Sequence, residues 1–384
     1  MLPTISKLIK VALVGCLLSL TTAAALSADT ATPDDTARFL AGLPPSPDSP
    51  LVALAKNPYW QQHANYFNVV FARKETEALS KVRAFSNAQL THKHDTMLYM
   101  FGGPDFLYAT SLFPTASTYV LAGLEPPGEI PQLTTLPHLV VARSLQNLEN
   151  SLHSLLGVGF FITSRMQSQL HMGPVYGTLP VLYVFLARTG KTIHEMSYVN
   201  LDNNGEPRPP IDSTDESALR NAPKSFAKGV RIVFSDGDGP RQTLYYFSTD
   251  LTDTGLMRSG FLKFLDKFSV ADSLVKSASY LLHGSNFSSM RNFLLDHSAM
   301  ILQDDTGVPV IDFDPQKWRL KLFGHYFRPI PIFRYAYQAR MAELYRKGNP
   351  TPIDFGIGYR YSRNQSNLLL AEISTGSVGS PEPK

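Results

Sequence analysis

From Pro58 onward the apolar positions fall at helical spacing: Trp60, Ala64, Phe67, Phe71, Ala78, Val82 and Phe85. Steps of three, four and seven place them on one stripe of a helix. Glu77 stands four residues before Lys81 and adds an ion pair along the same helix. Residues 137–156 repeat the pattern, with Pro137 at a first helical position and Val140, Leu145, Leu148, Leu152 and Leu155 inside. The same reading predicts helices at about 164–172, 179–188, 255–267, 271–283, 287–297 and 332–346. Short apolar runs predict strands at 96–101, 118–124, 192–201, 300–303, 308–313, 320–327, 355–361 and 368–373. Val230–Phe234 and Thr243–Phe247 flank Asp236-Gly237-Asp238-Gly239, the pattern of a β-hairpin.

Strands come in adjacent pairs as well as between helices. That favours an α+β fold, a mostly antiparallel sheet packed by several amphipathic helices, over a doubly wound parallel sheet. No internal repeat is visible. Residues 51–373 read as a single globular domain. If it has two lobes, the polar, Pro-rich loop at 203–225 divides them. Residues 29–50 read as a Pro-rich leader with a short helix near 34–41, and residues 374–384 as a disordered tail.

The first twenty-eight residues carry a different pattern. Lys7 and Lys10 precede an apolar run from Val11 to Leu20, and small residues follow to Ala28. This is the order of a secretory signal peptide, with cleavage expected after Ala25 or Ala28. The run is about half the length that crosses a bilayer. Cys16, the sole cysteine, lies inside it, so the exported chain would carry no disulfide. Its size without disulfides suits a bacterial periplasm. Leu13-Val14-Gly15-Cys16 resembles a lipobox, a minor alternative because apolar residues continue beyond the cysteine.

Charge excludes some partners. Without Lys7 and Lys10, 33 basic residues stand against 32 acidic ones, and no basic stripe remains for nucleic acid. No later segment is long and apolar enough to span a membrane.

Several short motifs match incompletely. Thr189-Gly190-Lys191-Thr192 lacks the first glycine of a P-loop, since Phe185 stands there. Ser273-Leu-Val-Lys276 has no Lys-Thr-Gly partner downstream. Asp305-Thr306-Gly307 has no second copy to share a proton with. His92-Lys93-His94-Asp95 lacks further ligands at metal spacing, and the acidic loops 202–206, 236–238 and 304–314 lack an EF-hand glycine. No metal is therefore assigned, and the cofactor is unknown.

Two regions remain as candidate sites. Gly102-Gly103-Pro104-Asp105 lies between a strand and a helix, where backbone N–H groups can hold an anion if Pro104 begins the helix. In the second, a helix over 271–283 would carry Lys276, Tyr280 and His283 on one face. Arg291 would lie one turn into the next helix, and Asp304 and Asp305 would end a strand. Gly102, Gly103, Asp105, Lys276, Tyr280 and Arg291 are the candidate binding residues. His283 with Asp304 or Asp305 would do acid–base chemistry. The aromatic stretch Trp318, Phe323, Tyr326, Phe327, Phe333, Tyr335 and Tyr337 reads as core before it reads as a sugar platform. The expected function is that of an exported, envelope-associated hydrolase. The alternative is a non-catalytic periplasmic protein holding a small molecule, a cell-envelope ligand or an assembly partner.

Overall fold

The computed structural model describes residues 30–91, 93–158, 173–211, 227–361 and 365–374. The expected signal peptide, the helix at 164–172 and the tail beyond 374 lie outside the described residues, as does most of the 203–225 loop.

Ten strands form one mixed sheet: β1 (Thr96–Tyr99), β2 (Thr118–Gly123), β3 (Lys191–Leu201), β4 (Pro207–Arg208), β5 (Lys228–Asp236), β6 (Arg241–Ser248), β7 (Ala271–Val275), β8 (Ser298–Gln303), β9 (Trp318–Gly324) and β10 (Asn367–Ile373). Their order is β4-β3-β5-β6-β2-β1-β7-β8-β10-β9. Five neighbouring pairs are antiparallel and four are parallel. The α+β class with a mostly antiparallel sheet holds by that count. The parallel pairs are not scattered, however. They make the centre, β6-β2-β1-β7-β8, and antiparallel strands flank it on both sides.

The α-helices among the described residues are α1 (Pro33–Leu40), α2 (Val52–Ala55), α3 (Pro58–Lys74), α4 (Ser80–Gln89), α5 (Phe106–Leu112), α6 (His138–Val158), α7 (Leu179–Arg188), α8 (Asp253–Ser259), α9 (Phe261–Leu265), α10 (Ser288–His297) and α11 (Ala339–Lys347). The first seven cover one face of the sheet and the last four cover the other. Alternation along the strands builds both cores. Met97, Tyr99, Tyr119, Leu121, Leu274 and Leu302 enter the first, while Leu98, Met100, Val120, Ala122, Val275 and Ile301 enter the second. Strands buried on both faces read as continuous apolar runs, which is why β1 and β2 were legible.

The long helix expected from Pro58 is present as α3 and α4, joined by a π-helical turn at Glu75–Leu79. The expected leader packs into the first core. Thr32 caps α1 by accepting the Asp35 amide at 3.0 Å. The Asp35 carboxylate in turn accepts the amide and hydroxyl of Ser46, each at 2.7 Å. Phe39 and Leu40 are buried, and the Trp60 indole donates to the Phe39 carbonyl.

Two expected helices break, 255–267 at Gly260 into α8 and α9 and 332–346 into a 3₁₀ segment at Pro331–Ala336 followed by α11, and three expected elements differ in kind. The helix over 271–283 is instead strand β7, fully buried, followed by a turn and one 3₁₀ turn at Leu281–His283. Its polar residues had suggested an exposed helix face, but they are satisfied inside the sheet. Asp272 accepts the His94 amide at 2.8 Å, and Ser273 shares a hydrogen bond with Ser298 at 2.8 Å. The expected strand at 308–313 is a 3₁₀ turn, Val310–Asp312, entered through Pro309. Residues 355–361 are irregular, with a single bridge between Ile357 and Arg360.

Candidate functional site

The chain leaves β1 and β7 toward opposite faces of the sheet. From β1 it enters α5, whose Phe106, Leu107 and Leu112 lie in the first core, and returns as β2. From β7 it passes to α10, whose Met290 and Leu294 lie in the second core, and returns as β8. The carboxyl ends of β1 and β7 therefore flank a topological switch point, the place where open sheets with parallel strands hold ligands. A cavity of about 270 Å³ lies there. It is lined by the segments that follow β1, β2, β6 and β7, with Tyr359 and Phe287 at its edge.

An ion pair ties the two sides together. Lys276, the first residue after β7, lies 2.7 Å from the Asp105 carboxylate, and both side chains are almost wholly buried. Asp105 also accepts the Tyr99 hydroxyl at 2.9 Å and the Tyr108 amide at 3.2 Å. Burial, and then the Asp105 charge, pushes the Tyr99 hydroxyl well above the ordinary phenol range. The Lys276 ammonium stands 3.9 Å from the Tyr108 ring centre, over its face. Lys74, from the end of α3, approaches the same ring at 5.5 Å. Its pKa falls to about 8, chiefly through burial and next through the charge of Lys276.

Asp105 also corrects the expected anion pocket. Pro104 does not begin α5; Asp105 is its N-cap, and its own carboxylate takes the Tyr108 amide.

The turn after β7 is strained. Ser277, Ser279 and Tyr280 have φ of 56°, 53° and 58°, and Phe101 on the β1 side has 66°. Such residues persist only where the surrounding structure fixes them. Asp304 accepts the Ser277 amide at 2.9 Å through one carboxylate oxygen. Its other oxygen accepts the amide and hydroxyl of Thr306. Thr306 accepts the Ala278 amide at 2.7 Å. Ser279 and Tyr359 share a hydrogen bond of 2.6 Å. Burial, then the neighbouring Asp305, lifts the pKa of Asp304 to about 6. The Ser277 hydroxyl is buried with no partner among the described residues.

The structure sorts the sequence candidates into three groups. Gly102, Gly103, Asp105 and Lys276 share the cavity. Tyr280, Asp304 and Asp305 are buried outside its lining, Asp304 holding the turn and Asp305 centring a separate network. Tyr280 donates to Asp305 at 2.5 Å, Arg360 grips the same carboxylate at 3.1 and 3.0 Å, and Asn367 donates at 3.0 Å. The third group, His283 and Arg291, makes no side-chain hydrogen bond to either. His283 Nε2 is buried with no partner among the described residues, and Arg291 binds the Leu282 carbonyl and the Asp312 carboxylate. The ring of His283 meets Tyr280 edge-on at 5.2 Å between centres. No hydrogen bond joins it to Asp304 or Asp305, so the expected acid–base pair is not assembled. Loss of the 271–283 helix removes the common face that would have aligned Lys276, Tyr280 and His283.

Tyr99, Glu125, Asp250 and Lys74 were missed. Each is a single residue beside no motif; the strand order brings Tyr99, Glu125 and Asp250 to the cavity, and the packing of α3 brings Lys74 to the Tyr108 ring. A second pair also escaped notice. His94 Nδ1 lies 2.8 Å from the fully buried Asp272, at the amino ends of β1 and β7 and away from the cavity. Burial raises the pKa of Asp272, and its hydrogen bonds from His94 oppose that shift. His92 lies outside the described residues, and among those described no group of three ligands is placed to hold a metal. The aromatic stretch divides: Trp318, Phe323 and Tyr326 are core, whereas Phe327, Tyr335 and Tyr337 are exposed.

No protein-family model and no curated protein sequence matches the chain.

Proposed function

We propose that this is an exported periplasmic protein that retains a small molecule in the crevice between β1 and β7. The observation that carries the reading is the buried Lys276–Asp105 pair spanning the switch-point cavity. A buried ion pair is costly to keep unless its geometry is well satisfied. Here the pair fixes the two loops against each other and shapes a preformed concave site with apolar and polar walls, the usual character of ligand pockets. Export is supported by the charge, apolar run and small residues of 1–28 and by the lack of any cysteine after Cys16.

Ligand retention is preferred to hydrolysis because His283 does not meet Asp304 or Asp305. Two measurements test the reading. Mass spectrometry of the periplasmic protein should find its first residue at Leu26 or Asp29. In thermal unfolding, a small molecule that fills the cavity should raise Tm in proportion to the logarithm of its concentration, with no turnover. Leu281→Trp, which places an indole at the cavity wall, should abolish that shift without lowering the unliganded Tm. A ligand shift that survives Leu281→Trp would place binding elsewhere.

A further inference from the structure

Building on the ligand-retaining cavity, we infer that its ligand is an organic cation, an amine joined to an apolar or aromatic body, and that Glu125 receives the ammonium group. Among the described residues the cavity lining carries three carboxylates, of Asp105, Glu125 and Asp250, against one ammonium, that of Lys276. Lys276 is committed to Asp105 at 2.7 Å. Asp250 is exposed at the rim, where it accepts the Thr252 amide at 2.9 Å. Glu125 is different. It is only 3 % exposed, and no cationic side chain among the described residues pairs with it. The nearby Tyr246 hydroxyl donates to the Glu125 backbone carbonyl at 2.7 Å and lies within hydrogen-bond reach of its carboxylate, but it supplies no positive charge.

A buried carboxylate without a counter-charge is costly in a folded protein, and a bound cation would remove the cost. The backbone leaves room for that carboxylate. A Cβ on Gly123 would stand 2.6 Å from Glu125 Oε2, and one on Gly103 would stand 3.4 Å away. Gly103 also needs its positive φ of 58°. Both glycines therefore keep the wall beside Glu125 bare, so that a ligand group can approach it. Phe101, Leu124, Leu251, Leu281 and Phe287 supply the apolar surface for the rest of the molecule. A metal ion does not fit the same carboxylates, because among the described residues no three acidic or imidazole ligands converge.

The test uses three probes that share a phenethyl body and differ in charge: phenethylamine, phenethyl alcohol and hydrocinnamate. Their binding to the purified protein is measured by titration calorimetry. The amine should bind at least about tenfold more tightly than the alcohol, and hydrocinnamate should bind weakest. Glu125→Gln keeps the shape of the side chain and should erase the preference for the amine while leaving alcohol binding within about twofold. Equal binding of all three probes, or tightest binding of hydrocinnamate, overturns the inference but leaves the cavity as a binding site. No binding of any probe overturns both. The wild-type comparison stands on its own if Glu125→Gln fails to fold.

Discussion

Asp105 does four things at once: it caps α5, holds Lys276, accepts Tyr99 and forms part of the cavity wall. Asp105→Asn should leave a buried ammonium without its charge partner and cost about 3–5 kcal/mol, read from the urea unfolding midpoint. Adding Lys276→Met to that variant should recover a large part of the loss, because the stranded charge is then gone. Lys74 has the opposite character. Its folded pKa of about 8 lies below the ordinary 10.5 because burial penalises the charged form. The penalty is full below pH 8 and is relieved as pH rises toward 10.5. Lys74→Met should therefore stabilise the protein at pH 7 by about 1–3 kcal/mol, and the gain should fade by pH 10.5. Unchanged stability at both pH values would show that Lys74 is already well compensated. At this scale the sequence was informative about which residue types sit at loop ends, as with Gly102, Gly103 and Asp105. It was silent about Lys74 and Glu125, since burial of a charge depends on what packs against it.

The turn joining β7 to the 3₁₀ segment at Leu281–His283 concentrates left-handed backbone in Ser277, Ser279 and Tyr280. A non-glycine residue pays about 1 kcal/mol or more in that region. Ser277 also buries a hydroxyl without a partner. Ser277→Gly should remove both costs and raise stability by about 1 kcal/mol, measured by chemical unfolding; a loss would mean that the hydroxyl is satisfied by bound water. Asp304, at the end of β8, holds this turn while its folded pKa of about 6 lies above the unfolded value near 3.8. A carboxyl raised in this way favours the folded state when protonated. Its cost is absent below about pH 4 and full above about pH 6, so this group makes stability fall as pH rises through that window. The fall should be on the order of 2 kcal/mol in the wild type and should be missing in Asp304→Asn, whatever the other groups contribute. Elements with one unambiguous period, the α3–α4 rod and the β5–β6 hairpin, were legible. The 271–283 segment was not, because Lys276, Tyr280 and His283 stand at helical spacing by coincidence while Asp272 and Ser273 hide a buried strand.

Across the molecule, burial is deepest where the sheet is parallel. Every residue of β1 and β7 is buried, whereas β9 at the edge alternates with exposed positions. Hydrogen exchange should accordingly be slowest in the amides of β1, β2 and β7 and faster in β9 and β4. The chain should also unfold at the same temperature with or without a thiol reductant, since it has a single cysteine and its cohesion comes from two cores. The sequence by itself determined the element types with strong periods, the α+β class and the residues that could cap or bend a loop. Those properties are local: propensity and spacing act over a few turns or one strand. Strand order, the parallel centre and the crevice between β1 and β7 were decided only in three dimensions. Neighbours in a sheet can be far apart in the chain, as Tyr99 and Leu274 are. The partners that bury Lys276, leave Glu125 without a counter-charge among the described residues and keep His283 from Asp305 come from segments that no local pattern joins.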